Sequence, residues 1–350
     1  MLLHEHLENG ADKNPNFPFS EFEGNSLSYQ EANLLSNQLA NKLVSEGLEV
    51  GDRFAFLAKN CTEMAIMYYA ASKVGAVPVP LNYRLADQEW AYIINDSEAK
   101  LIIVKGNEYS DRINQISSEL KNIKKYISIS LDNSIEKFQD FYDWLSDSSN
   151  EKPTLKIHEN DDVYQMYTSG TTGHPKGAVL LQRNVAANIR QYLNSLTLPR
   201  PSRTLLVAPM YHAAAMINMC GCIAIGGTIV IQEDFIPQDV VDCLANEKIT
   251  HTVLVPAMIQ ACLVSVPNVA NNEYNDLDQI HYGASPIAPE TLKKAMDVFK
   301  CKFGQGFGMT ETVAVICLMT PEEHIRALNE KPELLKSCGR PAIDTQVEIR

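Results

Sequence analysis

The most informative residues of the sequence are Tyr167-Thr-Ser-Gly-Thr-Thr-Gly-His-Pro-Lys-Gly177, flanked by the strand-like segments Val163–Tyr167 and Ala178–Leu181. Its glycines let the backbone adopt positive φ and approach a ligand closely. Consecutive backbone N–H groups and hydroxyl side chains form a cradle for an anion, and Lys176 adds a mobile positive charge. The stretch therefore predicts a phosphate-binding loop between two strands.

The spacing of this loop differs from the P-loop pattern GxxxxGK[ST], because no Ser or Thr follows Lys176. A strand rather than a helix is predicted to follow it. The loop is thus expected to be a flap between strands rather than a nest at a helix N-terminus. A Gly/Ser/Thr-rich turn without a ligand is the alternative that composition alone leaves open.

Strand and helix patterns alternate outward from the loop. Ser28 and Glu31 have capping-box spacing at the start of a predicted helix that stops near Gly47. Further strands are predicted at Arg53–Leu57, Val77–Pro80, Leu101–Val104, Tyr126–Ile129, Thr204–Val207, Thr228–Ile231 and Thr252–Val255. This alternation predicts an α/β fold of layered, largely parallel sheets with flanking helices. Ligands of such sheets bind in the loops at the carboxyl ends of the strands.

Composition excludes some classes of partner. With Lys+Arg 30 against Asp+Glu 43, the net charge of -13 repels nucleic acid phosphates, so no nucleic-acid partner is expected. The eight cysteines form no CxxC pair and no metal-ligand spacing, which predicts reduced thiols in a cytoplasmic protein. The acidic N-terminal residues do not resemble a signal peptide.

One uncharged segment, Ala213–Ile231, just reaches transmembrane length. Asn218 lies inside it, and Gly226-Gly227 divides it into a helix-like half and a β-branched half. We therefore predict a buried helix, a turn and a buried strand, and no membrane span.

The string TSGTTGHPKG resembles the signature loop of the adenylate-forming superfamily, which includes acyl-CoA synthetases, peptide-synthetase adenylation domains and luciferases. In that family the loop holds the β- and γ-phosphates of ATP. The resemblance gives this role to Thr168, Ser169, Gly170, Thr171, Thr172, Gly173 and Lys176.

Further stretches resemble the same family in the same order along nearly the whole chain. Gly75–Ala99 is similar to the scaffold of an acyl-CoA synthetase, and Pro209–His212 to the aromatic-His element beside the acyl pocket. Tyr282–Pro286 resembles the small-residue turn along adenine and the acyl group. Gly306–Glu311 resembles the aromatic-Gly-x-Thr-Glu motif, and Cys338–Pro341 the segment that enters a third sub-lobe.

The resemblance implies individual roles. Phe307, where the family more often has Tyr, would stack on adenine, and Thr310 would hydrogen-bond a phosphate. Glu311 would help to hold Mg²⁺, a hard ion that prefers oxygen ligands. His212 would shape or gate the pocket where acid and thiol meet.

The expected catalytic residues are Lys176, His212, Thr310 and Glu311. The expected nucleotide contacts beyond the loop are Gly283, Ala284, Ser285, Gln305, Gly306, Phe307, Gly308 and Thr310. The expected substrate pocket comprises Tyr211, His212, Ala213, Met216, Gly283, Gly308 and Met309.

The implied reaction uses ATP, with Mg²⁺, and coenzyme A as co-substrate. A carboxylate becomes an acyl donor by attacking the α-phosphate of ATP, which makes an acyl-adenylate and expels pyrophosphate. Because the nucleophile is already ionised, the step needs positioning and positive charge rather than a general base.

The acid is expected to carry no α-amine. Amino-acid-activating members place an Asp just after the aromatic-His element, where this chain has Ala213–Ala215. The string YGASPIAPE at 282–290 looks most like fatty-acid-activating members, so fatty acid metabolism is favoured over an aromatic acid. Loading of a carrier protein, oxidation as in luciferases, an aryl-CoA ligase, a non-catalytic nucleotide-binding protein and an interaction module stay open as alternatives.

The domain expectation follows from the same resemblance. It assigns residues 1–350 to the large N-terminal domain, with sub-lobes at roughly 1–160 and 161–337 and the start of a third at 338–350. We find no later Thr-Gly-Asp-type ribose motif, no hinge and no small C-terminal domain with its adenylation lysine. The sequence is therefore expected to be C-terminally truncated, with little turnover of its own, and a homodimer is possible.

Overall fold

Strands and helices alternate along the chain as the sequence predicts. The computed structural model describes residues 1–129, 135, 137–168, 173–196 and 201–349. The described strands are β1 (Pro18–Phe22), β2 (Asn25–Ser28), β3 (Arg53–Leu57), β4 (Val77–Leu81), β5 (Leu101–Lys105), β6 (Lys125–Ile129), β7 (Phe138–Asp140), β8 (Asp162–Thr168), β9 (Lys176–Leu181), β10 (Arg203–Leu206), β11 (Thr228–Ile231), β12 (His251–Val253), β13 (Gln279–Gly283), β14 (Lys302–Phe307), β15 (Cys317–Met319) and β16 (Arg340–Pro341). The described α-helices are α1 (Leu3–Lys13), α2 (Tyr29–Ser45), α3 (Thr62–Val74), α4 (Asp87–Asp96), α5 (Asn107–Ile116), α6 (Phe141–Leu145), α7 (Gln182–Asn194), α8 (Ala213–Ala224), α9 (Pro237–Asn246), α10 (Pro256–Ser265), α11 (Pro289–Phe299) and α12 (Pro321–Asn329). Short 3₁₀ helices lie at Ser117–Glu119, Val269–Asn271, Thr310–Thr312 and Pro332–Lys336.

The chain divides into two compact units, each made of two segments. The first unit comprises Met1–Asn16 and Ser28–Ala186, and the second comprises Phe17–Leu27 and Ala187–Arg350. The sub-lobes expected at roughly 1–160 and 161–337 stay a prediction.

The first unit contains a five-stranded parallel sheet in the order β4-β3-β5-β6-β7 and the antiparallel pair β8-β9. The predicted capping box at the start of α2 is confirmed, because Ser28 accepts from the N–H of Glu31 and the Glu31 carboxylate accepts from the N–H of Ser28. Trp90 of α4 is fully buried in the core of this unit, and the guanidinium of Arg112 lies 3.9 Å from the centre of its ring.

The second unit is built on a nine-stranded sheet in the order β16-β15-β14-β13-β12-β10-β11-β1-β2. The strands from β14 to β1 pair in parallel, and β15 and β16 add on antiparallel at one end. The segment 338–350, expected to begin a third sub-lobe, contributes β16 to this sheet by pairing Arg340 with Leu318.

The early strand β1 belongs to the second unit because it pairs with β11, with Ser20 opposite Ile229. Glu21, also on β1, accepts two hydrogen bonds of 2.8 Å from the guanidinium of Arg203 on β10. The hydroxyl of Thr228 donates to the carbonyl of Pro18 at 2.7 Å. Such bidentate, charge-assisted contacts fix geometry as well as adding stability.

The uncharged segment Ala213–Ile231 folds as predicted. Ala213–Ala224 forms α8, which is buried from Ala215 to Ile223, and Thr228–Ile231 forms the buried strand β11. Across the described part of the chain, no helix combines the length and the apolar character that a membrane crossing requires. The cysteines are free thiols, and Cys338 is the exposed one.

Candidate functional site

The phosphate-loop stretch forms the connection of an antiparallel hairpin in the first unit. Thr168 at the end of β8 is paired with Lys176 at the start of β9. This confirms the prediction of a loop between two strands, with no helix directly after Lys176. The predicted contacts Ser169, Gly170, Thr171 and Thr172 lie outside the described residues.

Two residues of this stretch, one on β8 and one just before β9, contact α4. The hydroxyl of Tyr167 donates to the carboxylate of Asp96 at 2.6 Å. The ring of His174 stacks on the ring of Tyr92, with centroids 4.6 Å apart. Burial, together with the hydrogen bond to Asp96, raises the pKa of Tyr167 above its usual range, so its hydroxyl keeps its proton and acts as the donor.

Three of the predicted motifs lie at one edge of the nine-stranded sheet in the second unit. Pro209–His212 follows β10, Tyr282–Pro286 lies at the end of β13, and Gly306–Glu311 lies at the end of β14. Because these strands are parallel members of one sheet, their carboxyl ends share an edge. This is the edge at which open α/β sheets bind ligands.

Gly283 and Gly306 are directly paired across β13 and β14. A Cβ atom at Gly283 would collide with the carbonyl oxygen of Gly306, so the neighbouring strand already requires glycine there. Ala284 follows with a positive φ of 64° and is exposed. A β-branched residue would be strained in that conformation.

The strand that carries this turn is anchored by Tyr282 and His324. The Nδ1 atom of His324 lies 2.7 Å from the carbonyl of Thr320, which can only accept a hydrogen bond, so Nδ1 carries the proton. The Tyr282 hydroxyl therefore donates to Nε2 of His324 across 2.9 Å. Burial lowers the pKa of His324, which favours this neutral form. The predicted nucleotide contact Gln305 is buried on the adjacent strand.

A 3₁₀ turn at Thr310–Thr312 follows β14, with Glu311 exposed and Thr310 half-buried. Phe307 is 45% exposed and Met309 51% exposed, so their side chains are available to a ligand. Among the described residues, neither the Thr310 hydroxyl nor the Glu311 carboxylate has a hydrogen-bond or ion-pair partner. No cluster of three or more His, Cys, Asp or Glu side chains suited to a metal occurs in the described parts of the chain. A single free carboxylate beside a hydroxyl fits a Mg²⁺ ion whose other ligands are phosphate oxygens and water.

The aromatic-His element leads directly into α8. His212 is exposed at the N-cap position of α8, while Tyr211 and Met216 are buried. Within α8, Asn218 accepts hydrogen bonds from the hydroxyls of Tyr192 and Thr204 at 3.0 and 3.1 Å. The predicted pocket residue Ala213 is half-buried in the first turn.

The geometry of both units agrees with comparisons to known proteins. The family model of the AMP-binding enzyme matches residues 7–350. The chain belongs to the AMP-binding enzyme family. The sequence resemblance and the α/β fold class are therefore confirmed.

Several curated relatives of this AMP-binding chain are ligases. The long-chain-fatty-acid–CoA ligase FadD13 of Mycobacterium tuberculosis is 29% identical over 326 residues, which are 93% of this chain and 61% of that protein. The fatty acid–[acyl-carrier-protein] ligase ScoC of Streptomyces coeruleorubidus is 30% identical over 339 residues, covering 95% of this chain and 62% of ScoC. The 2-succinylbenzoate–CoA ligase of Oceanobacillus iheyensis is 29% identical, covering 98% and 66%. The chain thus spans under two thirds of the length of the first two relatives.

Solved structures give the same fold. The inhibitor-bound N-terminal domain of FACL13 from Mycobacterium tuberculosis matches with a TM-score of 0.87 and 25% identity, covering 98% of this chain and 82% of that one. The anthranilate CoA ligase AuaEII in complex with anthranoyl-AMP matches with a TM-score of 0.89 at 19% identity. The second likeness supports the AMP-binding fold alone.

Some contacts made by the motif residues were not predictable from the sequence patterns. Asp96, Tyr92 and His324 contact the motifs from distant elements, and no spacing rule connects them to those motifs. Asn188, described below, is another. Each acts through a long-range contact that only the fold creates.

Proposed function

We propose that the protein containing this chain activates a carboxylic acid with ATP to an acyl-adenylate and then forms the coenzyme A thioester. The observation that carries this proposal is the gathering of three motifs at the carboxyl ends of β10, β13 and β14. Membership of the AMP-binding family and the ligase names of its relatives support it.

The chemistry assigned to the residues is positioning and charge stabilisation. A carboxylate oxygen attacks the α-phosphorus, the bond from that phosphorus to the bridging oxygen breaks, and pyrophosphate leaves. The hydroxyl and backbone donors of residues 168–173, together with Lys176, bind the β- and γ-phosphates. Phe307 stacks on adenine, and Thr310 donates to a phosphate oxygen.

Mg²⁺ would be held by Glu311, and when bound it would neutralise charge that develops on the phosphates. In the second half-reaction the thiol of coenzyme A attacks the acyl carbon, loses its proton, and AMP leaves. His212, exposed where α8 begins, borders the place where acid and thiol meet.

For the acid, we favour a fatty acid without an α-amine. The helix α8 begins with Ala213–Ala215 and offers no carboxylate to hold a substrate amine. Aryl acids are the alternative, since a 2-succinylbenzoate ligase is also a relative. Loading of an acyl-carrier protein is a second candidate function, because ScoC bears that name.

A cytoplasmic location and a homodimer belong to the same proposal. The free thiols suit a reducing compartment. Light scattering on the purified protein tests the dimer.

The first test is a thermal-shift series with non-hydrolysable acyl-adenylate mimics that carry short, medium, long, aromatic and amino-acyl groups. A ligand at 100 times its dissociation constant adds about 2.7 kcal/mol of stability. That should raise the melting temperature by about 2–4 °C. A shift graded by acyl group identifies the acid class.

Two outcomes would count against the proposal. If no mimic shifts the melting temperature of the full-length protein, the adenylate pocket is wrongly assigned. If Mg-ATP binds but the full-length protein releases no acid-dependent pyrophosphate, a non-catalytic nucleotide-binding role replaces the ligase. The 350 residues alone are expected to release little.

A further inference from the structure

The backbone that follows Glu311 is held on both sides by the side chain of Asn188. Its Nδ2 atom donates to the carbonyl of Val315 at 2.8 Å, and its Oδ1 atom accepts from the N–H of Val315 at 3.1 Å. Asn188 lies on α7 and is 3% exposed. A buried amide that satisfies both backbone groups of one residue fixes its position and orientation.

The clasped residue adjoins a strained turn. Val313 is buried and has φ 71° and ψ -65°, and the N–H of Ala314 donates to the carbonyl of Thr312 at 3.0 Å. This is a γ-turn with positive φ, a rare and strained conformation. A β-branched residue adopts it only where surrounding contacts impose it.

Backbone contacts between the two ends of the loop 307–316 supply that restraint. A Cβ atom at Gly308 would collide with the carbonyl of Ala314, so these two backbones lie in close contact. The N–H of Ile316 donates to the carbonyl of Phe307 at 2.8 Å. Between these contacts, the side chains of Met309 and Glu311 are exposed. The loop is thus pinned on one side and presents its polar side chains on the other.

We propose that Asn188 is a positioning residue for Thr310 and Glu311. By clasping Val315 it holds the γ-turn at Val313, and this turn fixes the direction in which the preceding 3₁₀ turn presents the carboxylate of Glu311. The inference rests on the proposed function of Glu311 toward Mg²⁺ and adds the residue that aims it.

The test measures ATP binding by calorimetry, once with MgCl₂ and once with EDTA. The ratio of the two dissociation constants is the magnesium-dependent gain. Asn188→Leu removes both hydrogen bonds to Val315, and Asn188→Asp keeps the acceptor while losing the donor. Tyr192→Phe is the matched control, because it removes a buried hydrogen bond of the same helix without touching Val315.

We expect Asn188→Leu to reduce the magnesium-dependent gain by about tenfold, the lower end of the effect seen when a residue supporting a metal ligand is lost. Asn188→Asp should reduce it less, and Tyr192→Phe should leave it unchanged. If Asn188 acts through Glu311, the double variant Asn188→Leu, Glu311→Gln should lose no more of the gain than Glu311→Gln alone.

Each other outcome overturns a defined statement. An unchanged gain in a folded Asn188→Leu, or in Asn188→Asp if the leucine variant does not fold, refutes the positioning role. So do losses that add in the double variant. A wild-type protein that binds ATP without any magnesium-dependent gain refutes the assignment of Glu311, and the inference fails with it.

Discussion

The carboxylate of Asp96 accepts a 2.6 Å hydrogen bond from the hydroxyl of Tyr167, which joins the last residue of α4 to the strand entering the phosphate hairpin. About one helical turn earlier, Tyr92 stacks on His174 of the opposite arm, with ring planes inclined by 20°. The helix α4 therefore contacts the phosphate-loop stretch at two described residues, Tyr167 on β8 and His174 just before β9.

Removal of the Tyr92 ring should loosen the segment around His174 that precedes β9. Tyr92→Leu is expected to raise amide hydrogen exchange at Gly173, His174 and Lys176 by about threefold, because an aromatic pair contributes about 0.5–1.5 kcal/mol. Tyr92→Phe keeps the ring and is the control. Equal exchange in the leucine and phenylalanine variants would show that the stack does not restrain the loop.

Loss of the charge at Lys176 should weaken the binding of ATP but not that of AMP. Lys176→Met is expected to weaken ATP binding by about ten- to a hundredfold, since a charge-assisted hydrogen bond contributes about 1.5–3 kcal/mol, and to leave AMP binding unchanged. Calorimetry with both nucleotides measures this, with the exposed Lys152→Met as control. Equal loss for ATP and AMP would contradict a contact to the β- or γ-phosphate.

The paired glycines should differ in their tolerance of a methyl group. Gly283→Ala is expected to lower the free energy of unfolding by about 1–3 kcal/mol, because its Cβ meets the backbone of Gly306. Gly306→Ala should cost less than about 0.5 kcal/mol, since its Cβ would meet only Val315 and Leu318, at 3.9 and 4.0 Å. Denaturant unfolding of both variants measures these losses. Equal losses in the free energy of unfolding would show that the strands can separate to admit the methyl group.

The buried His251 should make stability depend on pH. Burial, with a smaller contribution from His281, lowers the pKa of His251 from 6.5 to about 3. Between these values the unfolded chain binds a proton that the folded chain does not, so stability falls as the pH drops below 6.5. His251→Gln should flatten this fall by up to about 1.4 kcal/mol per pH unit.

Unfolding curves between pH 4 and 7 measure that slope. The exposed His158→Gln is the control and should retain the wild-type slope. Because burial also lowers the pKa of His281, part of the slope should remain in His251→Gln. A slope equal to that of the wild type would assign the pH dependence to other groups.

Local patterns in the sequence predicted much of the fold because these features are formed by residues that are close together in the chain. The hairpin around the phosphate loop, the capping box at Ser28, and the helix, turn and strand of Ala213–Ile231 all follow from spacing and composition. The resemblance implies a small-residue turn at Tyr282–Pro286, and the structure adds the strand β14 before Gly306–Glu311 and its pairing with β13.

Long-range relationships escaped prediction for physical reasons. The clasp between Asn188 and Val315 joins residues distant in sequence through one side chain, and no periodicity encodes it. The positive φ of Val313 contradicts the preference of its side chain, so propensity predicts the wrong conformation there. The roles of Lys176, His212, Thr310 and Glu311 stay predictions for the experiments above.

The pairing of β1 with β11 also sets an order of events during synthesis. Ser20 leaves the ribosome long before its partner Ile229 exists. At ~5–20 residues per second, β1 waits on the order of ten seconds or more with an unpaired edge. The first unit can form its parallel sheet meanwhile, because all of its strands precede β10. A chaperone that shields Pro18–Phe22 during this interval would raise the yield of folded protein without altering its final stability.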